Sequence, residues 1–225
     1  SSDQYVGGVG SIVNQGLISA QTAGKNLTIS TDNFTNEGTV EGLNGASVFL
    51  NGPWSSSGTL RITGGGTLDL NSTGSNSGLI EATASTVDMD GNFSFEPGST
   101  WSRTGGSVIL RGTLDNTGKT LTLDATTGSW LVDTGMITGG TIDLTSGEIL
   151  SFTGSTANWL DGVTVDGDLD LALTMYAQED IIYRNDGNGV FSSFTVTGSD
   201  AYVSRGGGWA DYDLAGELVL GVCSI

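Results

Sequence analysis

The sequence predicts an all-β chain, wound into a parallel solenoid of about 20-residue coils and closed by a C-terminal β-meander cap. Three observations carry this. Glycines recur at Gly38, Gly58, Gly78, Gly98 and Gly118, every 20 residues, with Gly16 standing 22 before the first. A second row runs in step as apolar-x-apolar pairs, Val48/Leu50, Leu68/Leu70, Val87/Met89 and Val108/Leu110, spaced by 20, 19 and 21 residues. Each pair is the pattern of a strand with one buried face. The composition agrees: the 225 residues include 37 glycines, 2 prolines and no histidine. Ser, Thr, Asn and Asp suit turns, while Val, Ile and Leu suit pleated surfaces. No stretch shows the ~3.6-residue apolar period of a helix longer than two turns.

The N-terminal "SSDQYVGGVGSIV" is Gly-rich and carries one charged side chain. It lacks the Lys, Pro or helix that guards a sheet edge, so head-to-tail association through it is expected. Next come the corner motifs, "NQGLI" at 14, "NEGTV" at 36, "SSGTL" at 56 and "NSGLI" at 76. The glycine is expected to let the backbone turn tightly or left-handed. Two residues before it stand Asn14, Asn36, Ser56, Asn76, Glu96 and Asn116, which suit a turn that bonds itself. Two residues after it, Val40, Leu60 and Ile80 should enter the core, whereas Thr100 and Thr120 fit that slot poorly. One step further, Glu41, Arg61 and Glu81 should form an outward ladder on three successive coils.

Asp69 and Asp88 lie between inward pairs and should stack as neighbours, which needs solvent screening or a cation. Further on, "TGSWLVDTGMITGGTIDL" (127–144) aligns with "TGSTANWLDGVTVDGDLDL" (153–171). Roughly seven coils fit between residue 14 and about 165. The chain therefore divides into a solenoid, residues 1–165, and a cap, residues 166–225. The five tryptophans (Trp54, Trp101, Trp130, Trp159, Trp209) are read as plugs for wide corners or the cap.

The coil motifs "NQGLISA", "NEGTVEG" and "NSGLIEA" resemble those of the filamentous-haemagglutinin and autotransporter-passenger type of right-handed β-helix. That likeness covers about two-thirds of the chain and implies export, a surface location and roles in adhesion or surface structure. Beyond residue 165, "VDGDLDLALTMYAQEDIIYRNDGNGVFSSF" resembles a blade of the FG-GAP/VCBS propeller family, and "GGGWADYDLAGELVL" the start of another. In that family an Asp-rich loop binds Ca²⁺. Matched residue by residue, Asp166, Gly167, Asp170 and Leu171 keep the second half of the loop, Asp168 lying within it, while Gly162 and Thr164 replace the first acids. Asp211 and Asp213 keep the first half of the next copy. Both are half-sites, and Ca²⁺ is expected to bind them weakly or not at all. The "NDGNG" at 185–189 reads as a hairpin turn.

With 25 acidic and 7 basic residues the net charge is −18, which argues against nucleic acid and anionic membrane surfaces as partners, since both would be repelled. No run of about 18 apolar residues exists to span a membrane. Absence of histidine excludes Ser-His and Cys-His catalysis. A carbohydrate-active enzyme, a lyase or hydrolase, is the alternative: Arg103 and Arg111 lie near Asp115 in sequence, and Trp101 offers a sugar platform. Surface solvation is the plainer account of both arginines. Cys223 is read as a buried small hydrophobe, and no glycan is assigned to the Asn-x-Ser/Thr sequons at Asn26, Asn33, Asn71 and Asn92. The function expected is a non-enzymatic structural or adhesive solenoid of the bacterial cell surface. Its partners would be other copies of itself, other surface proteins or glycans.

Overall fold

The computed structural model describes residues 2–167 throughout and, beyond them, the strands at 171–173, 181–185, 191–195, 207–211 and 218–222. It is all-β, and residues up to 166 stack in about eight parallel coils of roughly 21 residues. The first coil holds β1 (Gln4–Asn14) and β2 (Leu17–Ala20), and the second β3 (Asn26–Asn36) and β4 (Thr39–Gly42). Later coils carry three strands each. The third has β5 (Ser47–Leu50), β6 (Trp54–Ser56) and β7 (Thr59–Thr63); the fourth has β8 (Thr67–Leu70), β9 (Gly74–Asn76) and β10 (Leu79–Thr83). The fifth has β11 (Thr86–Met89), β12 (Asn92–Phe95) and β13 (Thr100–Thr104); the sixth has β14 (Ser107–Leu110), β15 (Thr113–Asp115) and β16 (Thr120–Thr122). The seventh has β17 (Trp130–Val132), β18 (Met136–Thr138) and β19 (Thr141–Asp143); the eighth has β20 (Leu150–Phe152), β21 (Trp159–Asp161) and β22 (Thr164–Asp166).

Three faces result. One sheet carries the first two faces and runs β20-β17-β14-β11-β8-β5-β3-β6-β9-β12-β15-β18-β21, because the long β3 belongs to both; β1 pairs on β3. The third face is split into β13-β10-β7-β4-β2 and β16-β19-β22. Inward residues meet their counterparts one coil away: Val48 on Leu68 on Val87 on Val108, all at most 1% exposed. Removing such a side chain from water stabilises the fold by about 1.5–3 kcal/mol. One coil buries little; the stack buries a continuous core.

The corners show what glycine is for. Gly38, Gly58 and Gly78 have no left-handed backbone. A Cβ on Gly58 would instead collide with the Gly38 carbonyl, and one on Gly78 with the Gly58 carbonyl. The expected tight turn is therefore replaced by close stacking of successive backbones, which only a hydrogen side chain permits. Beside the glycines the polar row turns inward, and Asn14, Asn36, Ser56, Asn76 and Asn116 are all buried. The Asn14 amide donates to Asn36 Oδ1 (2.8 Å) and to the Thr39 carbonyl (3.0 Å). Asn36 repeats this toward Ser56 Oγ (3.0 Å) and the Thr59 carbonyl (3.1 Å). Asn14 and Asn36 each bond the coil after their own, so the row is a buried ladder as well as a turn.

Register corrects three expectations. The first coil begins at β1, earlier than residue 14, so there is one coil more than the spacing suggests. Trp130 pairs with Leu150 on the first face, whereas Trp159 pairs with Met136 on the second, so the two late segments do not align tryptophan on tryptophan. Phe95, not Glu96, pairs with Asn76 and takes the corner slot of the fifth coil.

A second unit is counted from Val165, and the strands described in it beyond β22 pair antiparallel. In it β23 (Leu171–Leu173), β24 (Ile181–Asn185) and β25 (Phe191–Thr195) form a three-stranded meander. A separate pair joins β26 (Gly207–Asp211) to β27 (Leu218–Val222).

Leu68 and Thr67 sit on opposite pleats of β8, one buried and one half-exposed. Leu68→Asp is expected to unfold or aggregate the solenoid, at a cost of several kcal/mol for an unpaired buried charge. Thr67→Asp should cost less than about 1 kcal/mol. Equal melting temperatures for the two variants by circular dichroism would contradict this assignment of faces.

Candidate functional site

Charge on the outer surface is organised by the same one-coil register. Glu41 pairs with Arg61 and Arg61 with Glu81 along the third face. Arg61 Nε donates to Glu81 Oε2 (2.8 Å) and Nη1 to Glu41 Oε2 (3.2 Å). Ser19 Oγ extends the row by donating to Glu41 Oε1 (2.8 Å). The expected ladder is present and one coil longer. Glu41 is nearly covered by these neighbours, and Arg61 and Ser19 supply its hydrogen bonds. The Glu81 bond, reinforced by Glu41, raises the Arg61 guanidinium above its ordinary value against the opposing effect of burial.

On the first face Asp69 and Asp88 are stacked as expected, with Phe49 beyond Asp69 and Ile109 beyond Asp88. Arg111 resolves half of the conflict by bonding Asp88 and, through Nε, Asp133 Oδ2 (3.1 Å). Asp69 is left without such a bond, and its Oδ1 is buried with no hydrogen-bond partner. Burial, then Asp90 and Asp88, push the Asp69 carboxyl up to about 6. Burial also raises Asp88, although the Arg111 bond opposes it.

The site with room for a ligand lies where the third face splits. In the second to fourth coils the corner glycine amide or its neighbour bonds the preceding corner carbonyl, as Ser57 and Gly58 both do to Asn36. In the fifth coil Pro97 follows Glu96 and has no N–H to give. Where one residue, Gly78, separates Ser77 from Leu79, three now separate Glu96 from Thr100: Pro97, Gly98 (φ 99°) and Ser99. The Thr100 amide then regains the Gly78 carbonyl (3.0 Å), so β13 pairs correctly on β10. The sixth coil does not stack on this bulge. Its Thr117 amide turns onto its own Asp115 Oδ1 (3.0 Å), and β16 pairs with β19 alone.

Behind the split stand two unusual inward residues. Trp101 pairs with Ile80 and Arg103 with Ala82, both fully buried partners, yet Trp101 and Arg103 are only half-buried. The Trp101 ring packs tilted on Trp130 (centroids 5.3 Å) and edge-on to Phe95 (5.6 Å). Arg103 is held by the loop at 124–127 and by Gly106. Its amide donates to the Thr126 carbonyl, Nε to the Thr127 carbonyl and Nη1 to the Gly106 carbonyl, each at 2.9 Å. Asp124 holds that loop by accepting from the Thr126 and Thr127 amides (2.8 and 3.0 Å), bonds that, with the Thr126 hydroxyl foremost, lower its own carboxyl.

Between the edges opens a cleft of about 570 Å³, with Trp101 and Phe95 in its wall and Thr120 and Thr122 on its far side. At its mouth Lys119 Nζ donates to Glu96 Oε1 (3.1 Å). Ser94, donating at 2.6 Å, and then Lys119 hold the Glu96 carboxyl below the usual range.

Of the residues singled out from sequence, Trp101 is in this cleft, while Arg111 belongs to the Asp88–Asp133 ion pairs and Arg103 faces carbonyls, not acids. Asp115 meets neither arginine in a salt bridge among the described residues. Trp54 and Trp130 plug the core as expected; Trp159 is exposed. Asp166 ends β22, exposed. Asp168, Asp170, Asp213 and Cys223 lie outside the described residues, as do the side chains of Asp211 and Trp209. Among the described residues no group of three or more acidic, Cys or His side chains is placed to hold a metal ion. The cleft itself was foreshadowed by Thr100 and Thr120, whose misfit to the repeat marks the lengthened corners, and by Pro97.

Comparison with protein-family models, with curated proteins and with solved structures finds no match. What the described residues show is the parallel β-solenoid itself.

Arg61→Met should lower stability by about 1–3 kcal/mol in urea unfolding at pH 7, since Glu41 keeps its buried position without a counter-charge. Adding Glu41→Gln and Glu81→Gln should restore most of the loss. No recovery in the triple variant would mean that Arg61 acts through packing, not charge.

Asp69 has a folded pKa above its unfolded value, so its favourable contribution is complete below about 4 and is lost as pH rises through about 6. Asp69→Asn should therefore raise Tm at pH 7.5 and leave it unchanged at pH 3.5. A gain of equal size at both pH values would dismiss the titration.

Proposed function

We propose that the chain is a structural and adhesive solenoid of the bacterial cell surface, of the filamentous-haemagglutinin and autotransporter-passenger type, acting without catalysis and joining other copies of itself head to tail. The observation that carries the reading is the open first coil. β1 pairs only with β3, and its other edge has no strand partner among the described residues. Tyr5, Val9, Val13 and Leu17 are exposed there, Val9 at 98%. Val6, Ile12 and Ile18, which pair with the core residues Ile29, Phe34 and Val40, are only half-buried. An uncharged, apolar strand edge is a template for another strand layer. A head-to-tail contact that does not close a ring gives filaments.

The other supports are the stack and the charge. Eight layers at about 4.8 Å make a spacer of roughly 34 Å between the first and last coils. A net charge of −18 keeps such a surface solvated outside the cell.

Removing residues 1–12 is a poor test, because it would bare β3 and with it Leu27, Ile29 and Phe34. The exposed Val9 and Val13 offer a better one. Wild-type chain should form concentration-dependent linear oligomers in sedimentation velocity and negative-stain images. Val9→Lys with Val13→Lys should be monomeric, with an unchanged far-ultraviolet spectrum. A wild type that stays monomeric at high concentration would refute assembly.

A further inference from the structure

We propose that the cleft between β13 and β16 is a binding site for a neutral oligosaccharide. The inference goes beyond the assembly reading: a chain that never associates would still bind saccharide, so titrations on dilute monomer leave assembly untouched.

Four observations converge on this chemistry. The first is the aromatic wall. Trp101 occupies the inward row of Val40, Leu60 and Ile80 but is half-exposed, because β16 does not cover it. Phe95 and Trp130 fix its ring from behind. A held indole beside open space suits the C–H face of a pyranose, which is apolar while its rim is polar.

The second is the pair at the mouth. Lys119 and Glu96 put a charged donor and a charged acceptor 3.1 Å apart. That arrangement can grip two adjacent hydroxyls, one accepting from the ammonium and one donating to the carboxylate.

The third is the backbone. Thr100 bonds back to Gly78, so alternation along the parallel ladder turns the amide and carbonyl of Trp101 away from β10 and toward the cleft. The Thr141 amide bonds Lys119, so Thr120 and Thr122 likewise face β13 with their main-chain groups. Hydroxyls on a saccharide can satisfy donors and acceptors scattered in this way.

The fourth is the volume, about 570 Å³, within the range of sites for small ligands and room for two or three sugar rings.

Charge selects among saccharides. Among the described residues Lys119 is the single cation lining the cleft and is already paired, while the chain as a whole is strongly acidic. A uronate or sulfated chain would be repelled. Geometry disfavours an added peptide strand. β11 pairs directly with β14 and β12 with β15, so the coils stay one strand apart on the other two faces and the split is a wedge. At one end the Thr126 carbonyl already takes the Arg103 amide.

The test uses the full chain at micromolar concentration, titrated with β-1,4- and β-1,3-linked glucose hexasaccharides, an N-acetylglucosamine hexasaccharide, a galacturonate hexasaccharide and a polar decapeptide. Tryptophan fluorescence and calorimetry report binding; chromatography reports cleavage. At least one neutral hexasaccharide should bind with Kd between about 0.1 and 1 mM, change the emission and remain intact. Lys119→Ala, at the half-exposed mouth, should weaken it about tenfold at unchanged melting temperature. Trp101→Phe should abolish the fluorescence change and weaken binding to a similar degree. Binding to neither variant site, shown by unchanged affinity in both, would overturn the proposal. So would preference for the galacturonate or the decapeptide, shortening of the sugar, or no saccharide binding at all.

Discussion

Everything in the solenoid depends on successive coils lying one strand spacing apart at the corners as well as along the faces. At about 4.8 Å there is no space for a side chain between one corner backbone and the next. Gly38, Gly58 and Gly78 meet that limit by having none. The polar groups that such close stacking buries must then be paired within the stack. Asn14 and Asn36 do so by donating both to the next Asn or Ser and to the strand that follows it. Core rungs such as Val48, Leu68 and Val87 supply the burial energy, but the corners set the pitch at which those rungs meet.

This constraint explains how much of the fold is legible in the sequence. The 20-residue interval, the inward pairs and the Glu41–Arg61–Glu81 ladder were legible, because each is a spacing rule and the fold obeys spacing. Gly98 and Gly118 have the left-handed backbone expected of a corner, but Gly38, Gly58 and Gly78 do not. A glycine serving close approach and one serving a left-handed turn look alike in sequence; only the stacked carbonyls tell them apart. The cleft was legible only as a fault. Gly98 keeps the 20-residue interval yet has φ 99° and lies outside the slot of Gly78. Its regularity hid the shift that places Phe95, instead of Glu96, opposite Asn76. The second unit is a different case, since its strands alternate without a repeat and carry no long-range period to count.

Outer-face charge follows from the same pitch. Identical positions on neighbouring coils face each other at strand distance, so a repeat that preserved acids would stack like charges. The chain avoids this where it varies: Arg61 separates Glu41 from Glu81, and Arg111 bridges Asp88 and Asp133. Asp69 marks where variation stopped short. With 25 acids and 7 bases, there are not enough cations for every row, and some carboxylates must be carried at a raised pKa.

A solenoid can open one face only if the others hold. At the split, β11 pairs with β14 and β12 with β15 without interruption, so the coils remain in register through two faces while the third parts. The opening exposes inward positions, and those positions are filled accordingly. An aliphatic residue in place of Trp101 would leave the gap unlined, and one in place of Arg103 would leave the Thr127 and Gly106 carbonyls without their donor. Instead an aromatic cluster fills the widened interior and a guanidinium closes the loop beside it. The residues that break the repeat, Pro97, Trp101 and Arg103, are mutually consistent: one creates the wedge and the other two make it tolerable. Agreement of that kind among neighbouring exceptions is what separates a built feature from a flaw in a repeat.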